Sequence, residues 1–423
     1  MKQRKFQTIS IIGLGYIGLP TAAMFASRKI RVIGVDVNQM AVDTINKGEI
    51  HIVEPDLDMV VRAAVTEGYL RATTQPEPAE AFLIAVPTPF KSENHEPDLE
   101  YIEKACASIA PVLQAGNLVV LESTSPVGAT EAMAEWLADA RPDLTFPQDA
   151  GEESDIRIAH CPERVLPGKV MQELITNDRV IGGMTTRCSA DAVQLYKSFV
   201  SGECIIASSP RIAEMAKLTE NSFRDVNIAF ANELSIICDR LNIDVWELIQ
   251  LANRHPRVDV LQPGAGVGGH CIACDPWFIV SSAPEEARLI RTAREVNDAK
   301  PHWVLAKVHA AIATLLDAAP ALKASDIVIA CYGVAFKPDI DDLRDSPALE
   351  IAENLSNAHS GKVLIVEPNI DQLPNALSKG ELVSFAEAAG ADLHVLLVDH
   401  APFKANGAPK QGHIVDTRGI WAR

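Results

Sequence analysis

Short apolar runs alternate with amphipathic stretches in both end regions of this chain, while a helical rhythm fills the middle. Thr8 to Ile12 is such a run, followed by Gly13-Leu14-Gly15-Tyr16-Ile17-Gly18 and a helical stretch from Leu19 to Ser27. A second run, Arg31 to Val35, ends at Asp36 and completes one βαβ unit. Ala81 to Val86, ending at Pro87-Thr88-Pro89, and Leu118 to Leu121, ending at Glu122-Ser123-Thr124-Ser125-Pro126, predict further buried strands. Strands alternating with helices predict a parallel, doubly wound sheet.

The rhythm changes at Ser208-Ser209-Pro210, a helix start. Ile212, Met215, Leu218, Phe223, Val226, Phe230, Leu234 and Ile237 recur at helical spacing, and no glycine or proline interrupts the chain from there to Arg240. One helix of about 30 residues is predicted. A second follows at Asp244 to Asn253, and a third near Pro284 to Thr314 with a break or kink at Pro301. Asp326 to Cys331, Lys362 to Val366, His394 to Val398 and His413 to Val415 then predict the strands of a second, incomplete nucleotide-binding-type domain. Its strand ends carry Phe336-Lys337-Pro338 and Asp399-His400. The expected fold class is α/β, with two Rossmann-like doubly wound domains joined by a long central helix and a helical core. The expected division is 1–205, 206–316 and 317–423.

Composition narrows the partners. The 423 residues carry a net charge of −18, which argues against nucleic acid or an anionic membrane surface. An anionic ligand would need a local cluster of arginine and lysine. No apolar run approaches the ~20 residues of a membrane span, and the basic start, Met1 to Thr8, leads into a glycine loop rather than a signal peptide. Cys271 and Cys274 form a lone C-x-x-C with no second pair, so no metal is expected. The eight scattered cysteines read as reduced cytoplasmic thiols.

Several residues carry candidate chemistry. Gly13 permits a tight turn, Gly15 lets the backbone approach a pyrophosphate, and Gly18 lets the helix pack against the strand. Asp36 stands at a strand end where a carboxylate accepts hydrogen bonds from ribose hydroxyls and repels a 2′-phosphate, which favours NAD over NADP. Thr88 and Thr124, after apolar strands, either touch a ligand or cap a turn. Lys217, Asn221 and Arg224 share one helical stripe, read either as a wet surface or as a cleft face where Lys217 meets a developing oxyanion. Cys271 follows Gly268-Gly269 and is a candidate nucleophile, with Asp275 placed to orient water; Cys274 reads as a packing thiol. Arg254-His255-Pro256-Arg257, Lys337, Arg344 and Arg164 are candidate anion clamps in an acidic chain. A thiol beside a dinucleotide loop points to capture of an aldehyde and a second oxidation. A single-step NAD dehydrogenase of the β-hydroxyacid type and a nucleotide-sensing protein are the rival readings.

In order along the chain, Gly13-Leu14-Gly15-Tyr16-Ile17-Gly18-Leu19-Pro20, Ser123-Thr124-Ser125-Pro126-Val127-Gly128, Cys161-Pro162-Glu163-Arg164, Lys217-Leu218-Thr219-Glu220-Asn221-Ser222-Phe223-Arg224 and Gly268-Gly269-His270-Cys271 resemble the UDP-glucose/GDP-mannose dehydrogenase family. The resemblance implies an NAD-binding domain at 1–205, a dimerisation and catalytic domain at 206–316 and a UDP-binding domain at 317–423. It implies Cys271 as nucleophile and Lys217 as oxyanion and proton handler. Asp275, Glu163 and Thr124 would position water. NAD would be touched by Tyr16, Ile17, Asp36, Thr88, Thr124 and Arg344. The nucleotide sugar would be held by Arg164, Val165, Lys217, Asn221, Arg224, His255, Arg257, Gly268, Lys337 and Arg418. A homodimer is implied, with the His255 and Arg257 loop reaching the neighbouring site. Cys161 stands where the family often has asparagine.

Overall fold

The structure is a computed structural model that describes residues 6–421 except 53, 92–94 and 167; the side chains of His270 and Cys271 also lie outside the described set. The chain forms two compact units, Met1–Glu220 with Trp277–Pro284, and Asn221–Pro276 with Glu285–Arg423. Two of the three boundaries, at 220/221 and 276/277, fall inside helices.

The first unit is built on strands β1 (Thr8–Ile12), β2 (Arg31–Val35), β3 (Leu70–Thr73), β4 (Ala81–Ile84), β5 (Leu118–Leu121), β6 (Arg157–His160), β7 (Arg179–Gly183) and β8 (Cys204–Ala207). They lie in the order β3-β2-β1-β4-β5-β6-β7-β8. The winding reverses between β1 and β4, where loops at the strand ends diverge and leave a ligand crevice. Successive side chains of a strand point to opposite faces. Ile9, Ile11, Leu83, Leu118 and Val120 therefore enter one core, while Ile12, Phe82, Ile84, Val119 and Leu121 enter the other. The expected all-parallel sheet needs one correction: β7 runs antiparallel to β6, and β8 then pairs parallel to β7.

The second unit holds β9 (Ile329–Tyr332), β10 (Val363–Val366), β11 (Glu381–Leu382), β12 (Leu393–Leu396) and β13 (His413–Asp416). Their order is β11-β10-β9-β12-β13, parallel throughout, with the reversal between β9 and β12. This is the incomplete second Rossmann-like sheet that the pattern predicted.

The helical middle is close to expectation. The central helix runs Pro210–Leu241, and a short helix Val245–Ala252 is capped by Asp244, whose carboxylate accepts from the Trp246 and Glu247 N–H groups. Arg288–Ala318 is helical straight through Pro301, so the expected break does not occur. Arg294 ion-pairs Asp225 at 2.5 Å, and Asn232 donates to Asn297 at 2.9 Å, joining this helix to the central one. A helix the pattern did not predict, His270–Ser282, runs through Pro276.

Candidate active site

The glycine loop of the first unit leaves the end of β1 at the sheet's reversal point. Gly13 has φ +91°, which an L side chain rarely adopts, and a Cβ there would stand 2.5 Å from the Ala85 oxygen. At Gly18 a Cβ would fall 1.8 Å from the Gly13 oxygen, whereas at Gly15 it would meet nothing within 4 Å. Two glycines thus serve close packing and the middle one faces open space. That is the cradle a pyrophosphate requires, at the head of the Gly18–Ser27 helix. Asp36 closes the loop from the end of β2. Its oxygens accept from the Leu14 and Asn38 N–H groups, each at 2.9 Å, and its half-buried carboxylate keeps lone pairs for a ribose. Tyr16 is 38% exposed on this loop, with Ile17 half-buried beside it. These residues fit NAD.

Thr88 and Thr124, which the sequence left between two readings, meet directly. The buried Thr88 hydroxyl donates to the Thr124 carbonyl, so the loops after β4 and β5 are tied across the switch edge. Ser123 adds a second tie, its hydroxyl donating to the Val86 carbonyl at 2.7 Å. Glu163 lies in the loop after β6 and is buried. One of its oxygens accepts from Arg179 at 2.6 Å and the other from the Arg164 N–H at 2.7 Å. The Arg164 guanidinium itself pairs with Glu220 at 2.7 Å, and Val165 is half-buried next to it. Lys217, on the first-unit part of the central helix, is 9% exposed. A lysine so little exposed is not the wet-surface residue of the rival reading.

In the second unit the stripe partner Asn221 donates its amide to Asp275, which is 4% exposed. Arg224, one turn along, is exposed. Cys271 is the second residue of the His270–Ser282 helix; its side chain lies outside the described residues, so its expected role rests on position alone. The entry to that helix is tight. A Cβ at Gly268 would stand 2.6 Å from the Asp345 oxygen, and one at Gly269, where φ is +80°, would stand 2.8 Å from the Phe336 ring. Only glycines allow the helix start to pass against the loop after β9, which carries Lys337 and Arg344. Arg344 folds back on Asp342 at 2.6 Å and remains 57% exposed. Arg418 is fixed by Asp399 at 2.8 Å and by the Pro263 carbonyl at 3.2 Å.

His255 and Arg257 stand exposed on a loop whose ends are clamped by Asn253, which donates to the Val260 carbonyl at 3.0 Å and accepts from the Val260 N–H at 2.8 Å. Of the central helix's apolar positions, Leu218 is buried, but Ile212, Met215, Phe223, Phe230 and Ile237 are exposed, Phe223 by 71%. Their helical spacing was legible; that the face stands uncovered among the described residues was not. Two residues that sequence reasoning missed, Glu122 and Arg179, stand beside Glu163.

Comparison with known proteins places this geometry. Models of the UDP-glucose/GDP-mannose dehydrogenase family match three segments: the NAD binding domain at residues 7–200, the central domain at 211–299 and the UDP binding domain at 330–423. The chain is 66% identical over 420 residues to the UDP-N-acetyl-D-mannosamine dehydrogenase of Salmonella typhi, covering 98% of this chain and 99% of that protein. It is 64% identical over 421 residues to the NDP-N-acetyl-D-galactosaminuronic acid dehydrogenase of Ralstonia nicotianae, covering 99% and 97%. Among solved structures, the UDP-D-ManNAc dehydrogenase of Pyrococcus horikoshii superposes with a TM-score of 0.85 at 38% identity, covering 98% of this chain and 96% of that one. The chain belongs to the UDP-glucose/GDP-mannose dehydrogenase family.

Proposed function

We propose that this chain oxidises the sugar 6-hydroxyl of UDP-N-acetyl-D-mannosamine to a carboxylate, giving UDP-N-acetyl-D-mannosaminuronate by a four-electron route through Cys271. The 66% identity to an enzyme of that name supports the substrate. The supporting observation for the chemistry is the place of residue 271 in the first turn of a 13-residue helix, where backbone N–H groups lack intrahelical acceptors and favour an anion. Gly13, Gly15, Gly18 and Asp36 would hold NAD, and two NAD molecules bound in turn would each accept one hydride.

The chain's own residues do the rest. Lys217 takes the hydroxyl proton and stabilises the resulting alkoxide as the alcohol becomes an aldehyde. The Cys271 thiolate adds to the aldehyde carbon, forming a C–S bond and a thiohemiacetal. Loss of a second hydride leaves a thioester. Water, oriented by Asp275, Glu163 and Thr124, adds to its carbonyl and releases the carboxylate and the thiolate. Asn221 holds the Asp275 carboxylate in register for that step. Lys337, Arg418, Arg164 and Arg224 neutralise the diphosphate in an otherwise acidic chain.

The domain reading 1–205, 206–316 and 317–423 assigns cofactor, helical core and UDP in that order. The exposed stripe Phe223, Phe230, Ile237 and Leu241 suits the face of a homodimer, which would carry the His255 and Arg257 loop to the partner site. No helix among the described residues is long and apolar enough to cross a membrane. The described cysteines are free thiols, which suits the reducing cytoplasm.

The 64% identity to the Ralstonia enzyme favours a second reading, an N-acetylgalactosamine-type nucleotide sugar. NADH formation measured side by side on UDP-N-acetylmannosamine, UDP-N-acetylgalactosamine, UDP-N-acetylglucosamine, UDP-glucose and GDP-mannose tests the assignment. The first is expected to have the highest kcat/KM; a higher value for any other sugar overturns it.

A further inference from the structure

Beneath the loops after β5 and β6 the first unit encloses one guanidinium and two carboxylates. Arg179 is 1% exposed, Glu122 1% and Glu163 6%. The three are not equivalent. Arg179 Nη1 lies 2.6 Å from Glu163 Oε2 but 3.7 Å from Glu122 Oε1. Glu122 Oε1 instead accepts from the Tyr196 hydroxyl at 3.1 Å, and Glu122 Oε2 has no hydrogen-bond partner among the described residues. The guanidinium also packs over the Tyr196 ring, 5.2 Å from its centroid. Thr21, from the helix after the glycine loop, and the buried Cys161 thiol complete the surroundings.

We propose that Arg179 and Glu122 are positioning residues for Glu163: Arg179 holds the Glu163 carboxylate in place, and Glu122, kept as the neutral acid, leaves that guanidinium to Glu163 alone. This rests on the proposed function, in which Glu163 orients the hydrolytic water. The charge balance argues for it. With both carboxylates ionised, a buried pocket would hold a net negative charge, with Glu122 3.7 Å from the one guanidinium. With Glu122 protonated the pocket holds one ion pair and no excess charge. The same balance follows from burial, which pushes Glu122 up to about 8, with Arg179 opposing and Glu163 reinforcing the rise. Above that pH Glu122 ionises, competes for Arg179 and places a second negative charge beside Glu163. The hold on Glu163 then loosens, and hydrolysis slows.

The test compares full-length wild type with Glu122→Gln, which locks the neutral state, and measures kcat for NADH formation on UDP-N-acetylmannosamine from pH 7 to 9. Taking the ratio of variant to wild type cancels every titration the two share. For a group titrating near 8 whose ionised form does not turn over, that ratio rises about tenfold over this range. Glu122→Asp, which restores an acid, brings the alkaline decline back. A flat ratio overturns the proposal. A second measurement needs no variant. Carboxyl carbon NMR of glutamate-labelled wild type should show a glutamate titrating near 8. If every glutamate titrates below about 6, Glu122 is ionised at neutral pH and the proposal fails. Absence of NADH from the wild type on every nucleotide sugar would sink the functional reading instead, and the carboxyl titration would still decide the pairing.

Discussion

Replacing Gly15 and Gly18 by alanine, one at a time, separates what the glycine loop does for folding from what it does for the cofactor. At Gly18 the new Cβ stands 1.8 Å from the Gly13 oxygen, and ordinary contact begins near 3.4 Å, so the atoms must part by about 1.6 Å. No flexible side chain is in the way; the obstacle is backbone. The helix must lift from the end of β1, at an overpacking cost of about 1–3 kcal/mol. Its N–H groups then miss the pyrophosphate, and losing one charge-assisted hydrogen bond removes about 1.5–3 kcal/mol of NAD binding, roughly 10- to 100-fold in Kd. At Gly15 the new Cβ meets nothing within 4 Å. Folding stability should stay within about 0.5 kcal/mol of wild type, while NAD binding weakens by the same 10- to 100-fold because the methyl enters the space the phosphate needs. Thermal unfolding without cofactor reads the first quantity, and an NAD titration followed by protein fluorescence reads the second. If Gly15→Ala binds NAD as tightly as wild type, this loop is not the pyrophosphate cradle and the cofactor assignment is wrong.

Three further outcomes are expected. Asp36→Ala removes the acceptor of two backbone N–H groups and of the ribose, so kcat/KM for NAD should fall about 10- to 100-fold and the preference over NADP should narrow; steady-state kinetics with both cofactors checks it, and an unchanged preference contradicts it. Phe230→Asp puts a charge in the exposed stripe of the central helix, so sedimentation velocity should show a dimer becoming a monomer, while a variant that stays dimeric removes the stripe from the interface. Lys300 is buried beside Ser235 and over the Trp303 ring, and burial lowers its amine from 10.5 to about 7 against the pull of Asp239. The unfolded chain therefore binds one more proton between pH 7 and 10.5, and stability should climb as pH rises through that window. Lys300→Met should raise stability at pH 7 by about 1–3 kcal/mol and flatten the climb in denaturant titrations; an unchanged slope means the lysine stays charged when buried.

How much was legible in the sequence follows from how each element advertises itself. β5 is an unbroken apolar run, and β1 and β2 are apolar but for Thr8, Ser10, Arg31 and Gly34; all three are closed by glycine or polar loops, and their bounds were readable. β6 and β7 were not, because Arg157, His160 and Arg179 sit inside them as buried polar side chains and break the apolar run. That same disguise hid the Glu163 partner and the antiparallel turn of the sheet. The Pro210–Leu241 helix was legible because nothing in it breaks a helix. The His270–Ser282 helix was not, since two glycines precede it, it contains Pro276 and it is apolar on most sides. Pro301 does not end its helix: helix flanks it on both sides, and the packing of Val304 and Val308 in the second unit's core carries the helix past it. Periodicity identified the central helix's apolar stripe but says nothing about what covers it, so the exposure of Phe223 and Phe230 was not readable.

The proposed chemistry requires one carbon to be oxidised twice at Cys271. Counting NADH formed and UDP-N-acetylmannosamine consumed, in wild type and in Cys271→Ala, tests this directly. Two NADH per sugar with the uronate as product, and no uronate from the variant, is the predicted result. One NADH per sugar, or a variant that still makes the acid, would contradict it.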